Sequence, residues 1–289
     1  MKKVLFTFLA IFTMLTAYAQ FPGWGPQSKV VTDSIYSKIL DANRQFTIYL
    51  PQSYEVDATR KYPILYLLHG MSGVNTSWFN DQRCKDVMDQ LTASGEACEM
   101  IIVSPNAGGN PATCWNGYFN MPGWAYEDFF YKEFLPYIEK TYRVKGDKQH
   151  RAIAGLSMGG GGTASYAQRY PDMYVPPMHE CFDEYPRQCE EAGKDPDPTN
   201  KMAVLTRSVQ EHSCIRYVAE ADDARKAQLR TVQWFVDCGD DDFLLDRNIE
   251  FFQAMRNAGI PCQFRVRDGG HTSEYWHSAL YMCLPFCKS

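Results

Sequence analysis

The stretch HRAIA (150–154) leads directly into Gly155-Leu156-Ser157-Met158-Gly159. An apolar strand, a G-x-S-x-G turn and a helical segment in immediate succession form the setting in which a strained turn presents a serine hydroxyl at the carboxyl edge of a sheet. Glycines at 155 and 159 leave room for that turn. The pattern alone is weak, since a chain of 289 residues with 20 glycines can contain it by accident, and the bland alternative is a serine capping a helix in a glycine-rich connection. The strand ahead and the helix behind favour the nucleophile.

Outward from this point the chain alternates strand-like and helix-like segments without internal repeats, which predicts an α/β fold with a mostly parallel central sheet and helices on both faces. Residues 44–50 (RQFTIYL) alternate in polarity and end at Pro51, whereas 63–68 (PILYLL), 99–104 (EMIIVS) and 150–154 are short apolar runs suited to interior strands. Residues 233–238 (QWFVDC) and 262–267 (CQFRVR) add two later strands. Helical patterns fall on Asp81 to Ala93, on the stretch holding Phe129, Phe130, Phe134 and Ile138, on the segment after Ser157, and on Leu245 to Ala258 ending at Gly259. Pro136 is expected to kink the second of these. The polar span from about 175 to 230, with Pro176-Pro177 and DPDP at 195–198, reads as an irregular excursion from the sheet and a candidate lid.

The first nineteen residues read as a signal peptide: Lys2 and Lys3 precede an apolar run from Val4 to Leu15, and Ala17-Tyr18-Ala19 supplies the small residues of a cleavage site. That run is too short to span a bilayer, and no later stretch is long enough, so stable membrane insertion is not expected. The expectation is a periplasmic or secreted domain over 20–289, of open oligomeric state. Without the two lysines it carries 27 basic against 34 acidic side chains, a net charge of −7, and no basic run to follow a phosphate backbone, which argues against nucleic acid as a partner. Ten cysteines in an exported chain predict several disulfides of unfixed connectivity, although Cys238 reads equally as a buried free thiol. Closely spaced CxxC pairs are absent, and His179 with Cys181 and Cys189 matches ligand spacing poorly, so neither a metal nor another cofactor is expected.

A serine hydroxyl is a poor nucleophile at neutral pH; it needs a histidine to take its proton and a carboxylate to hold that histidine's tautomer. In this fold class both follow the serine, the acid first. Gly239-Asp240-Asp241-Asp242-Phe243 follows the strand 233–238, and Gly269-Gly270-His271 follows the strand 262–267. His271 is the histidine directly after a predicted strand downstream of the acid, whereas His277 falls on the next helix and His150 starts a strand. Spacing leaves the three aspartates undecided. An oxyanion needs two N–H donors: one from Met158, after the nucleophile, and one from the early loop Leu68-His69-Gly70-Met71-Ser72-Gly73, where Met71 is the candidate.

RKYPILYLLHGMSG, AGLSMGG, CGDDDFLL and GGHTSEYWHSAL together resemble the esterase D-like family of α/β hydrolases over most of the mature chain. The resemblance implies an α/β-hydrolase fold and a serine esterase working through an acyl-enzyme, with Ser157 as nucleophile, His271 as base and Met71 and Met158 as oxyanion donors. It also selects Asp242, just before Phe243, as the acid. Such families hold feruloyl and acetylxylan esterases, S-formylglutathione hydrolases, siderophore esterases and antigen 85-type mycolyltransferases. Export favours a small-molecule or oligosaccharide ester outside the cell, an acylated plant carbohydrate, over cytosolic formylglutathione. The alternatives are an acyltransferase with the same triad, separable by product analysis with added acceptor, and a non-catalytic carbohydrate-binding relative, which the intact residue set opposes. Trp78, Trp115 and Trp276 are the candidate substrate-binding side chains, with Tyr118, Phe119, Trp124 and Tyr275 near them in sequence; flat rings suit a flat hydroxycinnamoyl group. After Tyr174 the chain departs from the family pattern, with VPPMHECFDEYPRQCEEAGKDPDP in place of an apolar strand and small-residue turn, so the pocket roof is expected to differ.

Overall fold

Alternate side chains of the central strands enter two separate cores, which is why those strands read as unbroken apolar runs. The computed structural model describes residues 26–108, 117–173, 177–179 and 194–287. Its strands are β1 (Lys29–Ser37), β2 (Ala42–Leu50), β3 (Ile64–Leu68), β4 (Ile101–Pro105), β5 (Asn120–Met121), β6 (Trp124–Ala125), β7 (Arg151–Gly155), β8 (Pro177–His179), β9 (Trp234–Gly239) and β10 (Cys262–Arg267). The main sheet runs β1-β2-β4-β3-β7-β8-β9-β10, while β5 and β6 pair separately. β1, β2 and β4 pair antiparallel, and every other neighbour in the main sheet is parallel. The helices are α1 (Ser77–Asn80), α2 (Cys84–Ser94), α3 (Tyr126–Phe129), α4 (Leu135–Thr141), α5 (Met158–Arg169), α6 (Lys201–Glu211), α7 (Cys214–Ala219), α8 (Asp223–Leu229), α9 (Leu245–Asn257) and α10 (Ser273–Phe286).

On one face Ile64, Tyr66, Leu68 and Ile153 pack against Phe130, Phe134, Ile138 and Tyr166. On the other, Leu65, Leu67, Ala152 and Ala154 meet Trp78, Val87 and Leu91 of α1 and α2 and Leu280 and Leu284 of α10. A third cluster joins Trp234 and Val236 of β9 to α5, α7 and α9. Burying a Leu, Ile or Phe side chain in this way contributes about 1.5–3 kcal/mol, so the three layers together are the main term holding the sheet to its helices. The α/β-hydrolase fold expected from the sequence is the fold observed.

Several details differ from the sequence-based expectations. β1 lacks an apolar face and is almost wholly exposed; its register with β2, from Lys29 opposite Leu50 to Ser37 opposite Ala42, makes it a strand. The helix expected from Asp81 begins at Cys84, because Arg83 takes a left-handed conformation with φ 54°. Pro136 falls in the first turn of α4, directly after a π turn over Phe130–Phe134, a helix-start position where its missing N–H is tolerated. In the span read as irregular, β8 pairs in parallel with both β7 and β9, so a strand does occupy that slot in the sheet. Pro177 is its first residue, a strand position where a missing N–H is tolerated. α6, α7 and α8 follow, and Cys214, Val218 and Leu229 are buried in the third cluster. The remainder of the candidate lid, 175–176 and 180–193, the signal segment and Trp115 lie outside the described residues.

The expected disulfides are not seen between described residues: Cys84, Cys214, Cys262, Cys283 and Cys287 are free thiols. Cys84, Cys214 and Cys283 are packed as small apolar side chains in the cores, and burial pushes the Cys84 thiol well above its ordinary pKa. Cys114, Cys181 and Cys189 lie outside the described residues. Among the described residues no helix is long and apolar enough to cross a membrane, and no group of three or more His, Cys, Asp or Glu side chains is placed to hold a metal ion.

The junction of β7, α5 and the end of β3 is made backbone to backbone. A Cβ on Gly159 would lie 2.4 Å from the Leu68 carbonyl oxygen, and one on Gly155 would lie 2.3 Å from that of Gly159. Gly159→Ala is expected to lower stability by about 2 kcal/mol or more, read as a lower urea midpoint with an unchanged slope. An unaltered midpoint would mean that this close approach is not required.

Candidate active site

Ser157 stands between β7 and α5 with φ 52° and ψ −123°, a region that costs a non-glycine residue about 1–3 kcal/mol. The turn is fixed by the Gly159 N–H donating to the Leu156 carbonyl and the Gly160 N–H donating to that of Ser157, both at 2.8 Å. Met158 is the first residue of α5, so its N–H points out of the helix end with no carbonyl one turn earlier to accept it, and the helix dipole favours negative charge there.

The loops after β9 and β10 cross at a glycine contact, where a Cβ on Gly239 would lie 2.1 Å from the Gly269 carbonyl oxygen. Asp240 and Asp241 are committed to this crossing. The Asp240 N–H donates to the Arg267 carbonyl, the Asp241 N–H donates to the Gly269 carbonyl, and the Asp240 carboxylate accepts from the Gly269 N–H. Asp242 instead turns inward and is 4% exposed. Its Oδ1 accepts from the Leu244 N–H at 2.8 Å and its Oδ2 accepts from His271 Nδ1 at 2.9 Å. That bond fixes the tautomer, leaving Nε2 to accept from the Ser157 hydroxyl at 3.0 Å. The structure thus brings Ser157, His271 and Asp242 into one line, an arrangement able to move a proton off the hydroxyl as it attacks.

Gly70 places the early loop beside the serine: a Cβ there would lie 2.6 Å from Leu156 Cδ1 and 3.5 Å from Ser157 Cβ. The loop closes through the Gly73 N–H donating to the Gly70 carbonyl at 3.1 Å, with Ser72 at φ 63° and Met71 partly exposed at its tip. His69, which the sequence reading passed over, holds this loop. Its Nδ1–H donates to the Gly70 carbonyl at 2.8 Å, and its Nε2 accepts from the Ala107 N–H at 2.9 Å. Its own carbonyl accepts from the Tyr118 hydroxyl at 2.9 Å, and the Tyr118 ring fills the space left by Gly162, whose Cβ would approach it to 2.8 Å. Burial holds the His69 imidazole down to about 4, so it stays neutral. Its only sequence signal was its position at the end of an apolar strand, ahead of a glycine.

A cavity of about 510 Å³ opens beside Ser157 and His271, walled by Met71, Leu156, Phe243 and Trp276. The Trp276 ring meets His271 edge-on with centroids 4.8 Å apart, and the Phe243 ring, 71% exposed, lies 4.6 Å from the same imidazole. Trp78 borders the cavity but is fully buried, with its Nε1–H donating to the Leu68 carbonyl at 2.9 Å, so it packs beneath the loop and presents no open face. Tyr118, Trp124 and Tyr275 are buried, and Phe119 stacks on His212 with centroids 4.2 Å apart. Phe243 is the aromatic neighbour not anticipated as a substrate contact.

A serine on a strand-to-helix elbow, with acid and base on loops after two later parallel strands, defines an α/β hydrolase. A profile of the family described as "Putative esterase" matches residues 37–287, and the chain belongs to that family. It is an enzyme of the carboxylic ester hydrolase class. The solved structure of a ferulic acid esterase is 64% identical and superposes with a TM-score of 0.85 over 91% of this chain and 98% of that one. An endo-1,4-beta-xylanase/feruloyl esterase of Xylanibacter ruminicola is 35% identical over 131 residues, 44% of this chain and 18% of that protein. Endo-1,4-beta-xylanase Y of Acetivibrio thermocellus is 29% identical over 150 residues, 47% of this chain and 12% of that protein. The chain therefore spans less than a fifth of the length of these two curated relatives.

Neutral, buried His69 has a consequence for stability. Above its ordinary value of 6.5 both folded and unfolded chains carry it uncharged, and its contribution is fully present. As pH falls from there to about 4, the unfolded chain binds a proton that the folded chain refuses, and stability is lost at about 1.4 kcal/mol per pH unit. The stability difference between wild type and His69→Gln is expected to shrink between pH 7 and 4.5 in urea titrations. A difference independent of pH would contradict a neutral His69.

Proposed function

We propose that this chain is an exported serine esterase that deacylates plant-type carbohydrate esters, with hydroxycinnamoyl groups such as ferulate preferred over acetate. One observation carries the chemistry: Asp242, His271 and Ser157 are joined at 2.9 and 3.0 Å at the edge of a cavity walled by Phe243 and Trp276. Ser157 Oγ adds to the ester carbonyl carbon while His271 Nε2 takes its proton, and Asp242 stabilises the imidazolium. The N–H groups of Met158 and Met71 receive the oxyanion. As it collapses, the C–O bond to the alcohol breaks, His271 returns the proton to the leaving oxygen, and an acyl-Ser157 remains. Water then adds to that acyl group with His271 again as base, releasing the acid and restoring the hydroxyl. The aromatic pair beside His271 and the names of the similar proteins favour a hydroxycinnamoyl group, and the segment 1–19 favours a substrate met outside the cytoplasm.

Ser157→Ala and His271→Ala are expected to fold and to lose on the order of 10⁴-fold in kcat, with Asp242→Asn losing a similar factor. More than about a tenth of wild-type turnover in any of them would remove that residue from its role, and a larger loss in Asp240→Asn or Asp241→Asn would move the acid. Because the base works uncharged, kcat/KM is expected to fall on acidification as His271 takes up a proton, and to survive a chelator. A chelator loss restored by zinc or calcium would count against the mechanism. For the substrate, kcat/KM is compared for methyl ferulate, an acetylated xylan oligomer and an aryl acetate. Ferulate turnover at the spontaneous rate beside rapid deacetylation would end the hydroxycinnamoyl reading.

A further inference from the structure

The loop that carries Met71 is held through two successive peptide planes. In a trans peptide the N–H points away from the carbonyl, so the two donors on the Gly70 carbonyl, His69 Nδ1 and the Gly73 N–H, also set the direction of the Met71 N–H. The preceding plane, between His69 and Gly70, is held by the Tyr118 hydroxyl, which donates to the His69 carbonyl at 2.9 Å. That carbonyl lies against the nucleophile helix, since a Cβ on Gly159 would approach it to 2.7 Å. Tyr118 is 1% exposed and does not line the cavity, so it acts from behind the loop. Burial raises its pKa well above the ordinary value, and the hydroxyl stays protonated and able to donate. The residue is itself fixed on both sides. Its carbonyl accepts from the Tyr166 hydroxyl of α5, and the Gly117 N–H before it donates at 2.9 Å to the carbonyl of Ala107, whose own N–H donates to His69 Nε2. The nucleophile helix, the segment after β4 and the early loop therefore meet at one buried side chain.

We propose that Tyr118 is a positioning residue for acylation: through the His69 carbonyl its hydroxyl fixes the direction of the Met71 N–H, and so governs stabilisation of the oxyanion without contributing to substrate binding. The proposal rests on the reading in which Ser157 is the nucleophile and Met71 an oxyanion donor. Without the hydroxyl, the buried His69 carbonyl loses a donor and its peptide turns to find another. The Met71 N–H then swings off the line to the oxyanion, whose charge develops only on the way to the tetrahedral intermediate. The loss therefore falls on the rate of acylation and not on affinity for the uncharged ester.

The experiment follows single-turnover acylation by 4-nitrophenyl acetate, which separates the acylation rate from ester affinity. It is paired with inhibition by phenylboronic acid, whose boron takes Ser157 Oγ into a tetrahedral anion with an oxygen toward the oxyanion donors, the serine proton passing to His271. Tyr118→Phe keeps the ring against Gly162 and removes the hydroxyl alone. Removing an oxyanion donor outright costs about 10²–10³ in rate, and misdirecting one is expected to cost about tenfold. Acylation rate and boronate affinity are expected to fall together by that factor, with the dissociation constant of the ester within about twofold of wild type. 4-Aminophenylalanine at the same position restores an N–H donor and is expected to recover most of both. An unchanged acylation rate, a loss carried by ester affinity, or no recovery with the amino side chain overturns the proposal. Should Tyr118→Phe not fold, Tyr166→Phe decides from one bond further back: a smaller loss with the same signature supports the positioning role, and wild-type acylation defeats it. Normal acylation of Ser157→Ala would sink the serine mechanism itself, whereas an inert Ser157→Ala beside a fully active Tyr118→Phe ends the role of Tyr118 alone.

Discussion

At Leu156 and Ser157 the chain passes from strand to helix within two residues, and the left-handed backbone of Ser157 survives only because its neighbours touch through bare glycines. With any side chain at 155 or 159, α5 would have to move away from β3 and the hydroxyl would leave the line of His271 Nε2. The same constraint reaches the early loop. Gly162 lets the Tyr118 ring lie against α5, the Tyr118 hydroxyl holds the His69 carbonyl, and the His69 ring holds the Gly70 carbonyl beside the serine. Nucleophile and loop are thus registered to each other by short buried links, which is the preorganisation that oxyanion stabilisation depends on.

The acid and base rest on a second buried assembly below their loops. Asp237 of β9, nearly inaccessible, accepts from the Arg267 guanidinium of β10, at 2.8 Å from Nη2, and from the Tyr275 hydroxyl of α10. The Tyr275 ring lies under Gly269, where a Cβ would approach it to 2.7 Å. A buried ion pair adds little net stability, yet removing one partner costs about 3–5 kcal/mol, so its effect is to enforce one arrangement of β9, β10 and α10. His271 emerges from that arrangement two residues after Gly269.

Much of this was legible in the sequence wherever one physical cause dominated. β3, β4 and β7 are buried on both faces and therefore read as apolar runs, and the G-x-S-x-G turn needs its glycines for contacts that no other residue permits. Three consecutive aspartates could not be told apart by spacing, because burial of Asp242 and the cross-loop bonds of Asp240 and Asp241 arise only when β9 and β10 lie side by side. β1 owes its conformation to pairing with β2, and β8 to insertion between β7 and β9, so neither had a strong local signal. His69 is a single polar residue whose meaning comes from partners distant in sequence, Ala107 and Tyr118. The cysteine count misled in the described residues because buried thiols there serve as core. Trp78 misled because a large ring near the cleft was needed for packing.

Covalent trapping at the serine tests the central claim most directly. The purified protein is treated with a fluorophosphonate, and its intact mass, residual ester hydrolysis and adduct-bearing peptide are followed together. The account requires a single adduct on Ser157, formed in step with the loss of activity and absent from Ser157→Ala. An adduct on another residue, or full hydrolysis by protein already modified at Ser157, would contradict it.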